Sequence, residues 1–254
     1  MSASATYVYC IVSSSQPLNT TDTPPGPPGA GNARVLQIRP GRYAVVSDVP
    51  LDRFGTEPLA RQVADLEWVS RVAVAHEAVT ESFMSQADAV VPMKLLTLFT
   101  SDDRALEQLR SRWTRVEAVI RRLHKHEEWG VRLVFDDSRA PVDEATPLSS
   151  GRDYLKTKGR QRAATSARSS NMRKVAAGVI KALRPFARDA RRRAVATPAG
   201  SRSRLLLDAA FLVPRVKAPR FRATTERQAK KIAPDGYALQ ISGPWPPYSF
   251  VDRT

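Results

Sequence analysis

Pro244, Pro246 and Pro247 fall within four positions, surround Trp245, and lead directly into Tyr248-Ser249-Phe250-Val251. Proline lacks the amide hydrogen and fixes φ, so this stretch cannot be helix and is a poor fit to a regular sheet ladder. Chain ends that stay disordered are poor in aromatics. A stiff segment carrying a Trp, a Tyr and a Phe is therefore expected to dock against folded structure. It follows residues 237–241, Tyr-Ala-Leu-Gln-Ile, whose alternation predicts a strand. The expected arrangement has the segment packing back on that sheet, with Trp245 largely buried.

The 254 residues are 42% hydrophobic, enough for one large core or two small ones. No apolar run approaches the roughly 18 residues that cross a bilayer, and no secretory leader pattern is visible at the start. Cys10 is the single cysteine, which excludes an intramolecular disulfide and a cysteine-based zinc site. These features predict a soluble cytoplasmic protein with no membrane segment. The net charge of +15 is concentrated: residues 1–136 carry −1 and residues 137–254 carry +16. Such asymmetry suggests two units, the second with an anionic partner or an acidic protein surface to meet.

The local patterns divide the same way. Residues 5–12 read as a buried strand, and residues 13–32, with Pro24, Pro25, Pro27 and Pro28 clustered in them, as an exposed loop. Residues 34–38 and 42–46 flank Pro40-Gly41 as a hairpin. Val63, Leu66, Val69, Val72, His76, Val79 and Phe83 form one face of a helix over residues 58–87. Residues 90–99 read as extended. Leu106, Leu109, Trp113, Val116, Ile120 and Leu123 predict a second helix, capped by Thr100 or Ser101, with Arg112, Arg115 and Arg122 opposite. Residues 130–135 read as a strand closing an N-terminal α+β domain over residues 1–136. Residues 137–149 read as a linker. In the remaining domain, residues 150–254, a helical stretch runs through residues 151–196 with Pro185 breaking it. A strand over 205–213, a helix over 219–233 and the strand over 237–241 follow.

Catalytic patterns are thin. His76-Glu77 starts like a zincin motif, but position 80 is Thr, so the second ligand is missing. His76 falls on the apolar face of its helix, as a structural histidine would, while His124 and His126 sit two apart and point away from each other. Cys10 lies mid-strand with nothing near it in sequence to lower its pKa. The glycines at 26, 29 and 31 alternate with prolines and do not open a helix, so they form no phosphate cradle. No metal or cofactor is expected. The basic stretch carries the functional weight: residues 151–194 hold fourteen Lys and Arg, opposed only by Asp153 and Asp189. Phosphate binding to a nucleic acid is one reading; a solvated helical face or a surface for an acidic protein is the other. Base-stacking aromatics are sparse here, limited to Tyr154 and Phe186.

Several motifs, in order, resemble the gas vesicle protein GvpL/GvpF family. They are Tyr7-Val8-Tyr9-Cys10-Ile11-Val12, His76-Glu77-Ala78-Val79, Val91-Pro92-Met93-Lys94 with Thr97-Leu98-Phe99, and Glu128-Trp129-Gly130-Val131. Gly151-Arg152-Asp153-Tyr154-Leu155, Ala209-Ala210-Phe211-Leu212-Val213 and the segment from Gly243 to Val251 complete the set. Departures include Cys10 for the usual Gly and Leu95-Leu96 where Phe-Gly is typical. The resemblance marks His76, Trp129, Gly130, Tyr154, Trp245, Pro246 and Tyr248 as structural signature positions. It implies an α+β fold of two domains, the second a ferredoxin-like sheet with added helices. It also implies a non-enzymatic role associated with gas vesicles, binding the shell protein and other accessory proteins during nucleation and assembly. Arg152, Lys156, Lys158, Arg160, Arg162, Arg173 and Lys174 are the candidate partner-binding residues. The alternative function is a nucleic-acid-binding protein using residues 151–194.

Overall fold

A computed structural model describes residues 3–136, 151–194 and 203–251. The chain divides into two compact units, Met1–Glu128 with Pro244–Thr254, and Trp129–Gly243. The stretch read as a linker, 137–149, lies outside the described residues.

The first unit is built on a sheet of β1 (Ser4–Ser13), β2 (Arg34–Arg39), β3 (Arg42–Pro50) and β4 (Ala89–Pro92) in the order β2-β3-β1-β4, with β5 (Leu98–Phe99) also pairing β1. The β2–β3 hairpin turns at Pro40-Gly41, where Gly41 takes φ 68°. A β-bulge interrupts the β1–β3 register between Val8 and Cys10. The extra residue breaks the alternation of faces. Tyr7, Tyr9, Cys10 and Val12 consequently share one core with Val45, Val49 and Val90.

Two short helices, α1 (Leu51–Phe54) and α2 (Thr56–Gln62), precede α3 (Leu66–Ser82), so the single helix expected over 58–87 is broken. Asp65 causes the restart: its carboxylate accepts from the amides of Glu67 and Trp68 at 2.9 and 3.2 Å. The buried face of α3 is Trp68, Val72, His76, Val79 and Thr80, whereas Leu66 is 82% exposed and Val63 is also exposed. The apolar stripe thus starts at Trp68. The expected second helix is also two, α4 (Asp102–Ser111) and α5 (Trp113–Leu123), with Ser101 capping the first. The break is Arg112, at φ −103° and ψ 19°.

The proline-rich loop after β1 is more than an exposed connection. Pro27 is buried, and a Cβ on Gly26 would stand 2.2 Å from the Tyr9 hydroxyl. That hydroxyl pairs with Ser47 Oγ at 2.7 Å in the core. Gly26→Ala must push a rigid phenol off its partner, and should cost ~1–3 kcal/mol in urea unfolding. An unchanged midpoint would mean that the loop moves freely over Tyr9.

The second unit holds a four-stranded sheet in the order β7-β8-β6-β9, from β6 (His126–Asp136), β7 (Asp189–Arg192), β8 (Ser203–Pro214) and β9 (Tyr237–Trp245). Helix α6 (Gly151–Leu183) follows β6, and α7 (Ala218–Ile232) follows β8. This β-α-β-β-α-β order is ferredoxin-like, and the whole chain is α+β. The strand at 130–135, assigned from sequence to the first half, pairs in this second sheet. Its core follows strict alternation: Trp129, Val131, Leu133 and Phe135 from β6 meet Leu207, Ala209, Phe211 and Val213 from β8. Met172, Ala176, Val179 and Leu183, spaced four, three and four, present one face of α6 to it.

Two strand assignments differ from the sequence reading. Residues 189–192, read within a segment without strand pattern, form β7, paired antiparallel with β8. Its composition, Asp-Ala-Arg-Arg, suits an edge strand, where charges and weak propensity are tolerated. Strand β9 continues through Pro244 to Trp245 instead of ending at 241. It too is an edge strand, where proline is tolerated. Trp245 stays 37% exposed, correcting the expectation that it is buried; the fully buried aromatic is Phe250.

Candidate functional site

In the first unit, residues of the proline-rich end meet the helix-and-strand core. The Tyr7 hydroxyl accepts from the Leu96 amide at 3.3 Å and donates to His76 Nδ1 at 2.9 Å. With the hydroxyl assigned as the donor in that pair, His76 is the Nε2–H tautomer. Its Nε2 is buried toward the Met93 carbonyl but makes no hydrogen bond of ordinary geometry. Burial accordingly lowers the His76 pKa to about 4, with the Met93 carbonyl opposing the shift. Leu96 holds φ 61°, a region that costs a branched residue ~1–2 kcal/mol and that favours glycine.

Tyr248 is 39% exposed, and its ring lies 6.4 Å from the His76 ring while its hydroxyl bonds Thr80. Desolvation raises the Tyr7 and Tyr248 pKa values and moves Tyr9 up to about 12; it also raises the Cys10 thiol. All four are neutral and unreactive as acids at neutral pH. Pro246 and Pro247 are buried, and Phe250 is held by its amide on the Pro247 carbonyl at 3.0 Å.

Glu128 closes this arrangement. Its buried carboxylate accepts from the Ser249 amide at 2.8 Å and from Ser249 Oγ at 2.7 Å. Two motifs 121 positions apart in sequence thus meet through one side chain. Glu128→Ala leaves the Ser249 donors short of that acceptor. It should cost ~1–3 kcal/mol and speed hydrogen exchange at Ser249. Exchange unchanged at that amide would show that proline stiffness alone holds the segment.

Beside it lies a cavity of about 460 Å³. Leu109, Val116 and Val119 of α4 and α5 form one wall, and Ile11, Val91, Pro92 and Phe99 of the sheet form the other. Tyr248 and Val251 line one part, and Lys94, Arg112 and Arg115 supply its charged residues. The sequence reading set Arg112 and Arg115 opposite the apolar stripe. Arg112 is three residues from Leu109 and four from Val116, so it borders the same helix face and lines the same cavity.

In the second unit, Trp129 is buried 6.3 Å from Phe221, with the Arg222 guanidinium 5.8 Å over its ring. Gly130 admits Ser242, whose Oγ would stand 2.6 Å from any added Cβ. Of the candidate partner-binding residues, Lys158, Arg162, Arg173 and Lys174 are exposed along α6. The side chains of Arg152, Tyr154, Lys156 and Arg160 lie outside the described residues. Residues 162–167 are exposed on every side of the helix. The Arg191-Arg192-Arg193 run belongs instead to the β7 edge. There Arg193 and Arg132 reach the buried Asp208 carboxylate at 3.5 and 3.1 Å. Among the described residues no group of three His, Cys, Asp or Glu could hold a metal, and no helix is long and apolar enough to cross a membrane.

Comparison with known proteins accounts for nearly the whole chain. The family described as gas vesicle synthesis protein GvpL/GvpF matches residues 5–252. Gas vesicle protein L of Streptomyces sp. (strain CB03234) is 28% identical over 96% of this chain and 92% of its own length. Gas vesicle protein F of the same strain is 27% identical over 98% and 100%. The fold is shared with the crystal structure of GvpF from Anabaena sp. PCC7120, at a TM-score of 0.69 and 16% identity over 99% of this chain and 97% of that one. GvpF from Microcystis aeruginosa superposes at a TM-score of 0.66 and 14% identity, covering 98% and 99%.

Proposed function

Since this chain belongs to the GvpL/GvpF family of gas vesicle synthesis proteins, we propose that it serves gas vesicle formation by binding rather than by catalysis. Its partners in this reading are the vesicle shell protein and other accessory proteins, met in the cytoplasm during nucleation and assembly. The observation that carries the reading is the match along almost the entire chain, both to the family and to relatives named gas vesicle proteins L and F. Exposed apolar surface can shield aggregation-prone subunits, and charged surface can select and orient partners. Helix α6 offers such charge: Lys158, Arg162, Arg173 and Lys174 are exposed, and no acidic residue occurs between 154 and 188.

Co-expression with the shell protein, followed by affinity capture of this chain, tests the reading. Co-purification, and loss of normal vesicles on deletion of the gene, are the expected results. Absence of both sinks it. The acid-free stretch also keeps nucleic acid as a second reading. A mobility-shift titration of the full chain decides that: binding that persists at moderate salt with a steep salt slope favours it, and binding lost by physiological salt is charge attraction alone.

A further inference from the structure

From the outer edge of β9 and the cleft beside it, we infer a strand-addition site for an uncharged extended segment of a partner protein. β9 ends the order β7-β8-β6-β9, so one side of it has no strand neighbour in the sheet. The other described edges are guarded. β7 is Asp-Ala-Arg-Arg, and β4 is short, fully buried and ends at Pro92. β2 is flanked by Arg34 and Arg39, and Arg110 donates to the Ile38 and Gln37 carbonyls at 3.2 and 3.4 Å. Such charges and covers discourage a further strand. β9 has no charged residue between Tyr237 and Gly243, and Ala238, Gln240 and Ser242 are exposed.

The pairing with β6 fixes which amides face outward. The Asp136 amide donates to the Gly236 carbonyl at 3.0 Å, Phe135 stacks 5.0 Å from Tyr237, and Ser242 lies against Gly130. These contacts share one antiparallel register. Bonded and non-bonded pairs alternate in such a ladder. The main-chain groups of Ala238, Gln240 and Ser242 therefore turn to β6, and those of Tyr237, Leu239 and Ile241 turn outward. Gly243, at φ 116°, and Pro244 end the regular stretch. Beside it lies a cleft of about 510 Å³, lined by Ala229 at the end of α7, Ala233, Tyr237, Ala238 and Leu239. Small side chains there let another backbone come close. The charged residues in the lining, Asp136 and Lys230, are opposite in sign, which suits an uncharged occupant. A second copy of this chain is disfavoured, because each would bring its +16 half to the shared edge.

The inference rests on the binding role above only for the identity of its partner in the cell; co-purification with the shell protein reads that role, and the following assay reads the edge. A labelled, end-blocked peptide of roughly nine residues, alternating Val and Thr, matches the strand in length. It is titrated with the full chain by fluorescence anisotropy, beside two isomers N-methylated at complementary alternate amides. The parent should bind saturably. One isomer should bind at least about tenfold more weakly, because its methyl groups replace the amides that join the ladder, and the other should bind as the parent does. Amide exchange followed by NMR supplies a second readout. Saturating peptide should slow exchange at Leu239 and Ile241 and leave Ala238 and Gln240, already bonded to β6, unchanged. No saturable binding, equal affinity of the two isomers, or protection that omits Leu239 and Ile241 overturns the inference. So does protection of those two amides in a self-associated chain without peptide, which would assign the edge to a second copy.

Discussion

Phe250→Ala is expected to cost ~3–5 kcal/mol of folding stability, and Trp245→Ala no more than about 1 kcal/mol. Both aromatics lie in the same proline-rich stretch, yet Phe250 has no exposed surface and Trp245 keeps 37% of its own. Removing a fully buried ring forfeits its transfer energy and leaves a cavity that rigid neighbours cannot fill. The flanking prolines restrict relaxation at Phe250, and Pro247 holds its amide. Urea unfolding of the two single variants checks the ranking. A cost at Trp245 equal to that at Phe250 would contradict this ranking and make Trp245 a core residue.

The second large effect is a pH dependence. In an unfolded chain His76 titrates near ~6.5; in the folded protein burial holds it at about 4. Above the higher value both states are neutral and His76 adds no pH dependence. Between the two values only the unfolded chain takes up the proton, so folded stability falls as the pH drops. Below the lower value both states are charged and the loss levels off, at ~3 kcal/mol for a shift of this size. The nearby tyrosines and Cys10 stay protonated throughout this window, since their pKa values are raised. Glu81, whose carboxyl is also raised by burial and by Glu77, acts in the opposite direction. His76→Gln keeps an acceptor for the Tyr7 hydroxyl and removes the titration. Stability measured by urea unfolding at several pH values from 7 to 4 should therefore decline more steeply in the native chain than in the variant. Parallel declines would contradict a buried neutral imidazole.

Much of the architecture was legible in local chemistry. The β2–β3 hairpin follows from Pro40-Gly41, the cap of α4 from Ser101, and the end of α7 from the stop at Pro234-Asp235-Gly236. Where reading failed, a longer-range contact had overridden the local signal. The Arg-rich β7 is a strand because β8 offers it a ladder, not because its residues prefer one. The proline-bearing end of β9 stays extended because an edge strand does not need every amide. Asp65 and Arg112 broke two helices whose apolar periods ran on across the breaks.

The candidate site divides along the same line. His76 and the aromatic ending could be singled out by residue type, because a histidine on an apolar helix face and a stiff aromatic end are unusual in themselves. Their contacts could not: Glu128 meets Ser249 and Tyr7 meets His76 across separations of 121 and 69 residues. The sequence by itself determined most of the extended and helical segments, the family, and the separation of a basic half from a near-neutral one. Tertiary structure alone decided which aromatic is buried, which face of β1 follows its bulge, and that two arginines overlook an apolar groove. Those outcomes depend on the sum of distant contacts, which periodicity within one element does not encode.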